Sequence, residues 1–185
     1  PHTIADLTFR HGITTSSVPN HNDPSCLSIL TEFSPELTVL GGTRIIKDYI
    51  LTIAKKGTIN AHPGLLPWLR GSASVGWALY KDMPIGATVH FIDPSIDTGA
   101  IIEREELPVF RSDTYESLNY RVAVLAAKLT TQVVQRFWNG EIVTGIPQDP
   151  NEGETFRVIP DDLLEIGIRR LTSGEYSHFS QEDVA

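Results

Sequence analysis

The feature that most constrains the fold is the alternation of helical and extended patterns along the 185-residue chain. Alternation of this kind is typical of an α/β fold, in which helices cover an open sheet. We therefore predict a Rossmann-like, open and mostly parallel sheet with helices on both faces. The spacing predicts helices over residues 4–10, 24–33, 47–56, 72–80 and 113–140, and from 161 onward. It predicts extended segments over residues 13–18, 37–40, 58–60, 87–92, 100–109 and 156–159.

The clearest prediction is the long helix that begins near residue 113. Asp113 and Glu116 have the spacing of a capping box, in which two residues satisfy each other's free backbone amides. Apolar residues then recur at helical intervals up to Gly140. They are Leu118, Val122, Leu125, Leu129, Val133 and Phe137. One face of this helix is therefore expected to cover the sheet.

Charge and composition argue against several classes of function. The formal net charge is −8, and without a Lys/Arg cluster such a chain is repelled by phosphate backbones, so we expect no nucleic-acid partner. Because no apolar run approaches the roughly 20 residues that cross a bilayer, we expect no membrane partner. The single cysteine, Cys26, excludes a disulfide framework and fits a cytoplasmic protein. A small molecule is the expected partner.

Three side chains with complementary chemistry follow extended segments. Asn60 and His62 are two residues apart at the end of the predicted strand, so an extended backbone directs them to the same side. Asp97 lies in a turn between two extended segments. Strand ends are where open α/β sheets bind ligands, so these residues are candidates for one active site.

An amide, an imidazole and a carboxylate together suit acyl transfer to an amine. Asn60 could donate a hydrogen bond to the developing oxyanion, while His62 and Asp97 could move protons. Structural explanations remain open, since Asn and Asp are common turn formers and a histidine often only fills a polar gap. A metal site of His62, His90 and Asp97 has no usual zinc spacing, and we expect no metal.

A series of short motifs resembles the folate-dependent formyltransferase family. The resemblance extends over residues 4–140 and rests on the order of the motifs, since each motif alone is common. The motifs are NAHPGLLP at 60–67, RG at 70–71, WAL at 77–79, GATVH at 86–90 and DTG at 97–99.

The resemblance implies a function for each candidate residue. Asn60, His62 and Asp97 would form the catalytic triad. His90 is not part of this implied triad; by its place in the sequence it is either a support behind the triad or a structural histidine. The formyl donor would be 10-formyltetrahydrofolate, whose pterin would be held largely by backbone groups. The residues implied for this pocket are Gly42, Arg44, Ile45, Ile46, Ile92, Asp93 and Ile96.

The motifs also bear on the amine. The RG and WA elements are more similar to the sugar and methionyl-tRNA branch than to the purine branch. The acidic charge and the short C-terminal region argue against tRNA, so we expect an amino sugar or a sugar nucleotide. The family usually has Ser at the position of Gly64 and Pro at that of Ser74, and these departures are expected to affect substrate placement.

Other functions remain open. Water could replace the amine, which would make the protein a formyltetrahydrofolate hydrolase, and glycinamide ribonucleotide could be the acceptor. A folate-binding module without catalysis is a further alternative. Asp97 and its neighbours also resemble the catalytic turn of dimeric aspartic proteases, but the long flanking helices disfavour an all-β protease. The sequence leaves a homodimer open.

The domain prediction follows from the same motifs. Residues 1–146 are expected to form the formyltransferase catalytic domain, and residues 147–185 a short C-terminal extension. Members of the family open with a strand, a loop and a helix ahead of the segment that resembles residues 4–18. We therefore expect a source protein longer by about fifty residues or more, with a further central strand, because the first strand of such folds lies near the sheet centre.

Overall fold

The structure is a computed structural model that describes residues 3–181; the outermost residues of both predicted domain ranges, 1–2 and 182–185, lie outside the described part. In chain order the elements are α1 (Ile4–Arg10), α2 (Pro24–Phe33), β1 (Thr38–Leu40), α3 (Asp48–Leu51), β2 (Thr58–His62), β3 (Leu69–Gly71), α4 (Ser74–Lys81), β4 (Gly86–Phe91), β5 (Ile101–Glu106), α5 (Tyr115–Trp138), β6 (Glu154–Phe156) and α6 (Asp161–Ser173).

The main sheet has the strand order β1-β2-β4-β5 and is mixed. The expected α/β class with flanking helices is confirmed, but the sheet is not mostly parallel, since only one of the three described strand pairings, β1 with β2, is parallel. β4 begins beside the end of β2, with Thr88 opposite His62, so it runs back along its neighbour. The connection from β4 to β5, residues 92–100, is shorter than the dozen or so residues that a parallel crossover needs.

Helix α5 covers one face of β2, β4 and β5. Its six predicted apolar positions, from Leu118 to Phe137, are all buried, which confirms the predicted face. The cap lies one residue later than predicted, because Thr114 and Ser117 exchange the two capping hydrogen bonds. Asp113 instead accepts from the backbone of Phe110 and pairs with Arg121.

The segment after α5 packs against β3 and α4, which lie outside the main sheet. β6 pairs in parallel with β3, and α6 packs along α4. Gly167 allows this close approach, since a Cβ there would lie 2.9 Å from the backbone nitrogen of Tyr80. The described part of the predicted C-terminal extension therefore packs directly against elements that precede α5.

The leading part of the chain, residues 3–57, differs from the sequence-based expectation in two places. Residues 13–18, predicted as a strand, are irregular and pair with no strand of the described chain. The helix predicted over 47–56 is limited to α3. It ends early because the amides of Lys55 and Lys56 bond to the carbonyls of Pro35 and Glu36 instead of continuing the helix. Throughout residues 3–181, no helix has the length and apolar character needed to cross a membrane.

Candidate active site

A cavity of about 500 Å³ opens over the ends of β1 and β2 and beneath the turn at 92–97. Ile59 packs in the core under α5, so the alternation along β2 directs Asn60 and His62 to the opposite face. Both line the cavity together with Asp97. The residues predicted for the folate pocket also line it, and they are Gly42, Arg44, Ile45, Ile46, Ile92, Asp93 and Ile96.

His62 is held by oxygen atoms at both ring nitrogens. Its Nε2 lies 2.6 Å from the carbonyl of Leu69, and its Nδ1 lies 3.4 Å from Asp97 Oδ2. A carbonyl oxygen only accepts, so Nε2 carries the proton and donates it to Leu69. The side chain is 3% exposed, and its Nδ1 edge faces the carboxylate. The strand and the loop thus fix which nitrogen meets Asp97.

The two residues that depart from the family pattern lie behind His62. The Ser74 hydroxyl is 3.2 Å from His62 Nε2, and a Cβ at Gly64 would lie 2.7 Å from the same atom. Neither residue lines the cavity. Their contacts bear on the orientation of His62, and an effect on substrate placement stays a prediction that would act through this ring.

Asp97 lies at the centre of the polar contacts. Its Oδ2 accepts a 2.8 Å hydrogen bond from the amide of Gly71, and its Oδ1 lies 3.6 Å from His90 Nε2. Gly71 has a φ of 91°, and a Cβ there would lie 2.1 Å from the carbonyl oxygen of Phe156. Only glycine therefore allows β3 to approach β6 so closely while its amide faces Asp97.

His90 lies directly behind Asp97 and is fully buried. Its Nδ1 donates to the carbonyl of Phe91 at 2.8 Å, while its Nε2 has no hydrogen-bond partner within the described chain. Burial lowers the pKa of His90, and the nearby Asp97 carboxylate opposes this only in part. The neutral ring therefore presents an unprotonated nitrogen toward Asp97.

The side chain of Asn60 faces the cavity and is half-buried. None of the side-chain hydrogen bonds among residues 3–181 involves the side-chain amide of Asn60. It lies opposite His90 in the β2–β4 pairing, and it lines the cavity together with Asp97. Its two N–H donors are therefore available to a bound molecule.

The opposite wall of the cavity, residues 42–46, is held by Asn22, which sequence reasoning missed. Its Nδ2 donates to the carbonyl of Ile45 at 2.9 Å, and its Oδ1 accepts from the amide of Lys47 at 2.8 Å. The polar run just before α2 is the only signal in the sequence, and it is equally typical of a helix start. Asp93 shapes the other wall by accepting from the Thr98 hydroxyl at 2.7 Å.

The donor set is one for proton transfer and hydrogen bonding. No group of three or more His, Cys, Asp or Glu side chains is placed to hold a metal ion in the part of the chain that the structure describes. A carboxylate between two imidazoles, next to a free amide, can accept a proton, pass it on and donate to a developing negative charge.

Comparison with known proteins identifies the family. Residues 5–134 match the family model described as formyl transferase. The chain belongs to this formyl transferase family. Curated family members include a methionyl-tRNA formyltransferase of Flavobacterium psychrophilum, 26% identical over 94% of this chain and 55% of the relative. Another, from Pelotomaculum thermopropionicum, is 35% identical over 71% of this chain and 41% of the relative. The chain spans about half the length of the curated relatives it matches.

Solved family structures extend the comparison to other acceptors. The formyltransferase PseJ from Anoxybacillus kamchatkensis, in complex with UDP-4,6-dideoxy-4-formamido-L-AltNAc and tetrahydrofolate, is 30% identical, with a TM-score of 0.59 over 68% of this chain and 65% of that one. Phosphoribosylglycinamide formyltransferase from Anaplasma phagocytophilum is 28% identical, with a TM-score of 0.67 over 82% of this chain and 76% of that one. The family uses a folate formyl donor, and its acceptors differ between members.

Proposed function

We propose that this chain is the catalytic part of a cytoplasmic enzyme that transfers a formyl group from 10-formyltetrahydrofolate to the amine of a small substrate. The observation that carries the proposal is the contact between His62 and Asp97, 3.4 Å apart at the floor of a cavity that Asn60 also lines. A reacting carbon in this cavity could contact an amide donor, an imidazole and a carboxylate together, which acyl transfer to nitrogen requires.

The cavity fits a folate through its shape and its backbone. Its volume of about 500 Å³ lies within the range typical of small-molecule sites. The walls at 42–46 and 92–97 are loops that offer backbone N–H and C=O groups, which suit the donor and acceptor edge of a pterin ring. Gly42, Arg44, Ile45 and Ile46 would form one wall, and Ile92, Asp93 and Ile96 the other.

Each residue of the proposed triad has one task. Asn60 donates a hydrogen bond to the formyl oxygen as it gains negative charge, a contact typically worth about 3–4 kcal/mol of barrier. Asp97 accepts the proton that the attacking amine loses, and it holds His62 in place. With Nε2 committed to Leu69, His62 can gain or lose a proton only at Nδ1, which faces Asp97, so the His62–Asp97 pair returns the amine's proton to the nitrogen that leaves. Because the rings of His62 and His90 lie beside it, the Asp97 carboxylate can keep or release the proton taken from the amine.

For the acceptor we propose an amino sugar or a sugar nucleotide. The 30% identity to a formyltransferase whose structure contains a formamido sugar nucleotide supports this class, as does the net charge of −8, which disfavours a polyanionic tRNA. The curated methionyl-tRNA relatives and the phosphoribosylglycinamide neighbour support two other acceptors. Hydrolysis of the donor and folate binding without catalysis are the remaining alternatives.

A product assay separates these functions. The full-length protein is incubated with 10-formyltetrahydrofolate and, in separate reactions, with amino sugars, sugar nucleotides, glycinamide ribonucleotide and methionyl-tRNA. Mass spectrometry then detects any formylated amine, and Asp97→Asn serves as the matched control. A formylated amino sugar or sugar nucleotide is the expected result. Formate without any formylated amine would establish the hydrolase instead, and absence of folate binding by calorimetry would overturn the whole proposal.

A further inference from the structure

Gln148 lies outside the residues matched by the family model, yet its side chain reaches the turn that carries Asp97. Its Nε2 donates to the carbonyl of Asp97 at 2.9 Å and to the carbonyl of Gly99 at 2.7 Å. Its Oε1 accepts from Arg70 Nε at 3.0 Å. Because the guanidinium only donates and both carbonyls only accept, the amide has a single orientation that satisfies all three contacts.

Arg70 and its neighbour connect the same turn from the other side. Arg70 is 4% exposed, and its Nη2 also donates to the carbonyl of Asp149 at 3.3 Å. The amide of Gly71 donates directly to the Asp97 carboxylate. Two adjacent residues of β3 therefore hold Asp97 by two routes, one direct to the carboxylate and one through Gln148 to the backbone.

The turn needs such support because its backbone is constrained. Asp97 has a φ of 54°, in the left-handed region that non-glycine residues adopt at a cost. Gly99 passes so close to β4 that a Cβ there would lie 1.9 Å from the carbonyl oxygen of Phe91. Both carbonyls that Gln148 binds belong to these two residues, so one amide restrains both ends of the bend.

We propose that Gln148 is a positioning residue for Asp97, with Arg70 as its support. It fixes the backbone from which the carboxylate reaches His62 and the Gly71 amide. The inference rests on the proposed catalytic role of Asp97. Because small misplacements of a reacting group are costly, loss of Gln148 is expected to lower turnover by about 10- to 100-fold.

Two substitutions separate the bond to the turn from the bond to Arg70. Gln148→Glu keeps an acceptor for Arg70 but places a second oxygen against the two carbonyls, where only a donor fits. Gln148→Ala removes all three contacts. We expect both variants to lose kcat, with the KM for folate changed less than about three-fold, because Gln148 bonds at residues 97 and 99, past the residues proposed to hold the pterin. Gln132→Ala, on the exposed face of α5, is the matched control and should retain full activity.

Hydrogen exchange tests the same inference without any turnover. In wild type the Gly71 amide is bonded to Asp97, so it should exchange slowly; Asp97→Ala defines the rate when that bond is lost. Gln148→Glu and Gln148→Ala should raise the Gly71 rate toward this limit, while amides in α5 keep theirs. If Gln148→Glu behaves as wild type and only Gln148→Ala is impaired, the bond to Arg70 and not the bond to the turn is what matters, and the inference is wrong. An unchanged Gly71 rate in both variants would also overturn it, whereas a wild type that formylates no amine would count against the proposed function alone.

Discussion

The leading part of the molecule, residues 3–57, and the remainder, residues 58–181, differ in how they are packed. The second part buries an apolar face of α5 against β2, β4 and β5. In the first part, α1 and α2 contain no buried residue, and the buried apolar side chains are Pro35, Ile46, Ile50 and Ala54. The cavity lies where the two parts meet.

Because of this difference, we expect the two sides of the cavity to differ in the free-energy cost of local opening. The proposed triad lies entirely in the well-packed part, while the wall at 42–46 belongs to the sparsely packed part. Segments with few buried contacts open locally at a low free-energy cost, whereas core strands open only with the whole domain. Changes near the triad should therefore alter the chemistry sharply, and changes in the wall should alter binding only slightly.

The largest expected effect is that of Asp97→Asn. Asparagine accommodates the left-handed backbone and can still accept from the Gly71 amide, but it cannot take up the amine's proton. We expect kcat to fall by about two to four orders of magnitude, with folate affinity changed far less. Steady-state kinetics at saturating amine and folate measure this. Full activity would remove Asp97 from the mechanism.

Removal of a second group tests whether the triad acts as a unit. Asn60→Ala should lower kcat by about two to three orders of magnitude through the lost donor to the formyl oxygen. In the double variant with Asp97→Asn, the loss should be smaller than the product of the two single losses, because groups that act together are not additive. Strictly multiplicative losses would show that the two residues act in separate steps.

The packing contrast itself is tested by two truncations. Changing Leu129, which lies on the buried face of α5 and is 1% exposed, to Ala should lower the free energy of unfolding by about 2–5 kcal/mol. Changing Phe33, which is 73% exposed at the end of α2, to Ala should lower the free energy of unfolding by less than about 0.5 kcal/mol. Urea denaturation followed by circular dichroism provides both values. A Phe33→Ala loss as large as that of Leu129→Ala would mean that α2 is covered in the intact protein.

The buried histidine of the packed part should make stability depend on pH. Burial lowers the pKa of His90 below its ordinary value of 6.5, so below that value the unfolded chain binds more protons than the folded one. The free energy of unfolding should therefore be highest above about pH 6.5. Below that pH it should decline by up to about 1.4 kcal/mol per pH unit. Urea titrations between pH 7.5 and 5.5 measure this decline, and His90→Gln should flatten it. An equally steep decline in the variant would assign it to other groups.

The smallest effect is expected in the wall. Arg44 is exposed at the cavity mouth, and the surrounding segment offers mainly backbone groups. Arg44→Ala should therefore weaken folate binding only a few-fold, through lost contacts of its aliphatic stem. Calorimetry with tetrahydrofolate gives the affinity, and Lys47→Ala, on the same loop, serves as a comparison. A loss above about a hundred-fold would show that the side chain, and not the backbone, recognises the ligand.

Much of the packed part was predictable, because local patterns carry long-range consequences there. The apolar positions of α5 match the observed buried face, and the spacing of Asn60 and His62 predicts their common side of β2. The reversed direction of β4 was not predictable from periodicity, since a strand has the same alternation in either direction.

Prediction was weaker where contacts join distant segments. Asn22 and Gln148 were missed, because each acts through an amide that bonds to the backbone of a segment more than twenty residues away. Likewise, the amides of Lys55 and Lys56 lie beyond α3 because they bond to the carbonyls of residues 35 and 36. Glutamine and asparagine have no periodic signature, so sequence patterns alone do not indicate which of them support a site.

Because the backbone of Asp97 is left-handed, replacements that raise stability at this position remove the carboxylate that the proposed chemistry needs. A non-glycine residue in this conformation costs about 1 kcal/mol or more, and asparagine or glycine reduces that cost. Directed evolution that scores only survival after heating should therefore enrich neutral replacements at position 97, and if Asp97 has the proposed catalytic role, the enriched clones would be stable and inactive. A library built for thermostability should hold this codon constant, and the same reasoning applies to the design of synthetic variants by stability alone.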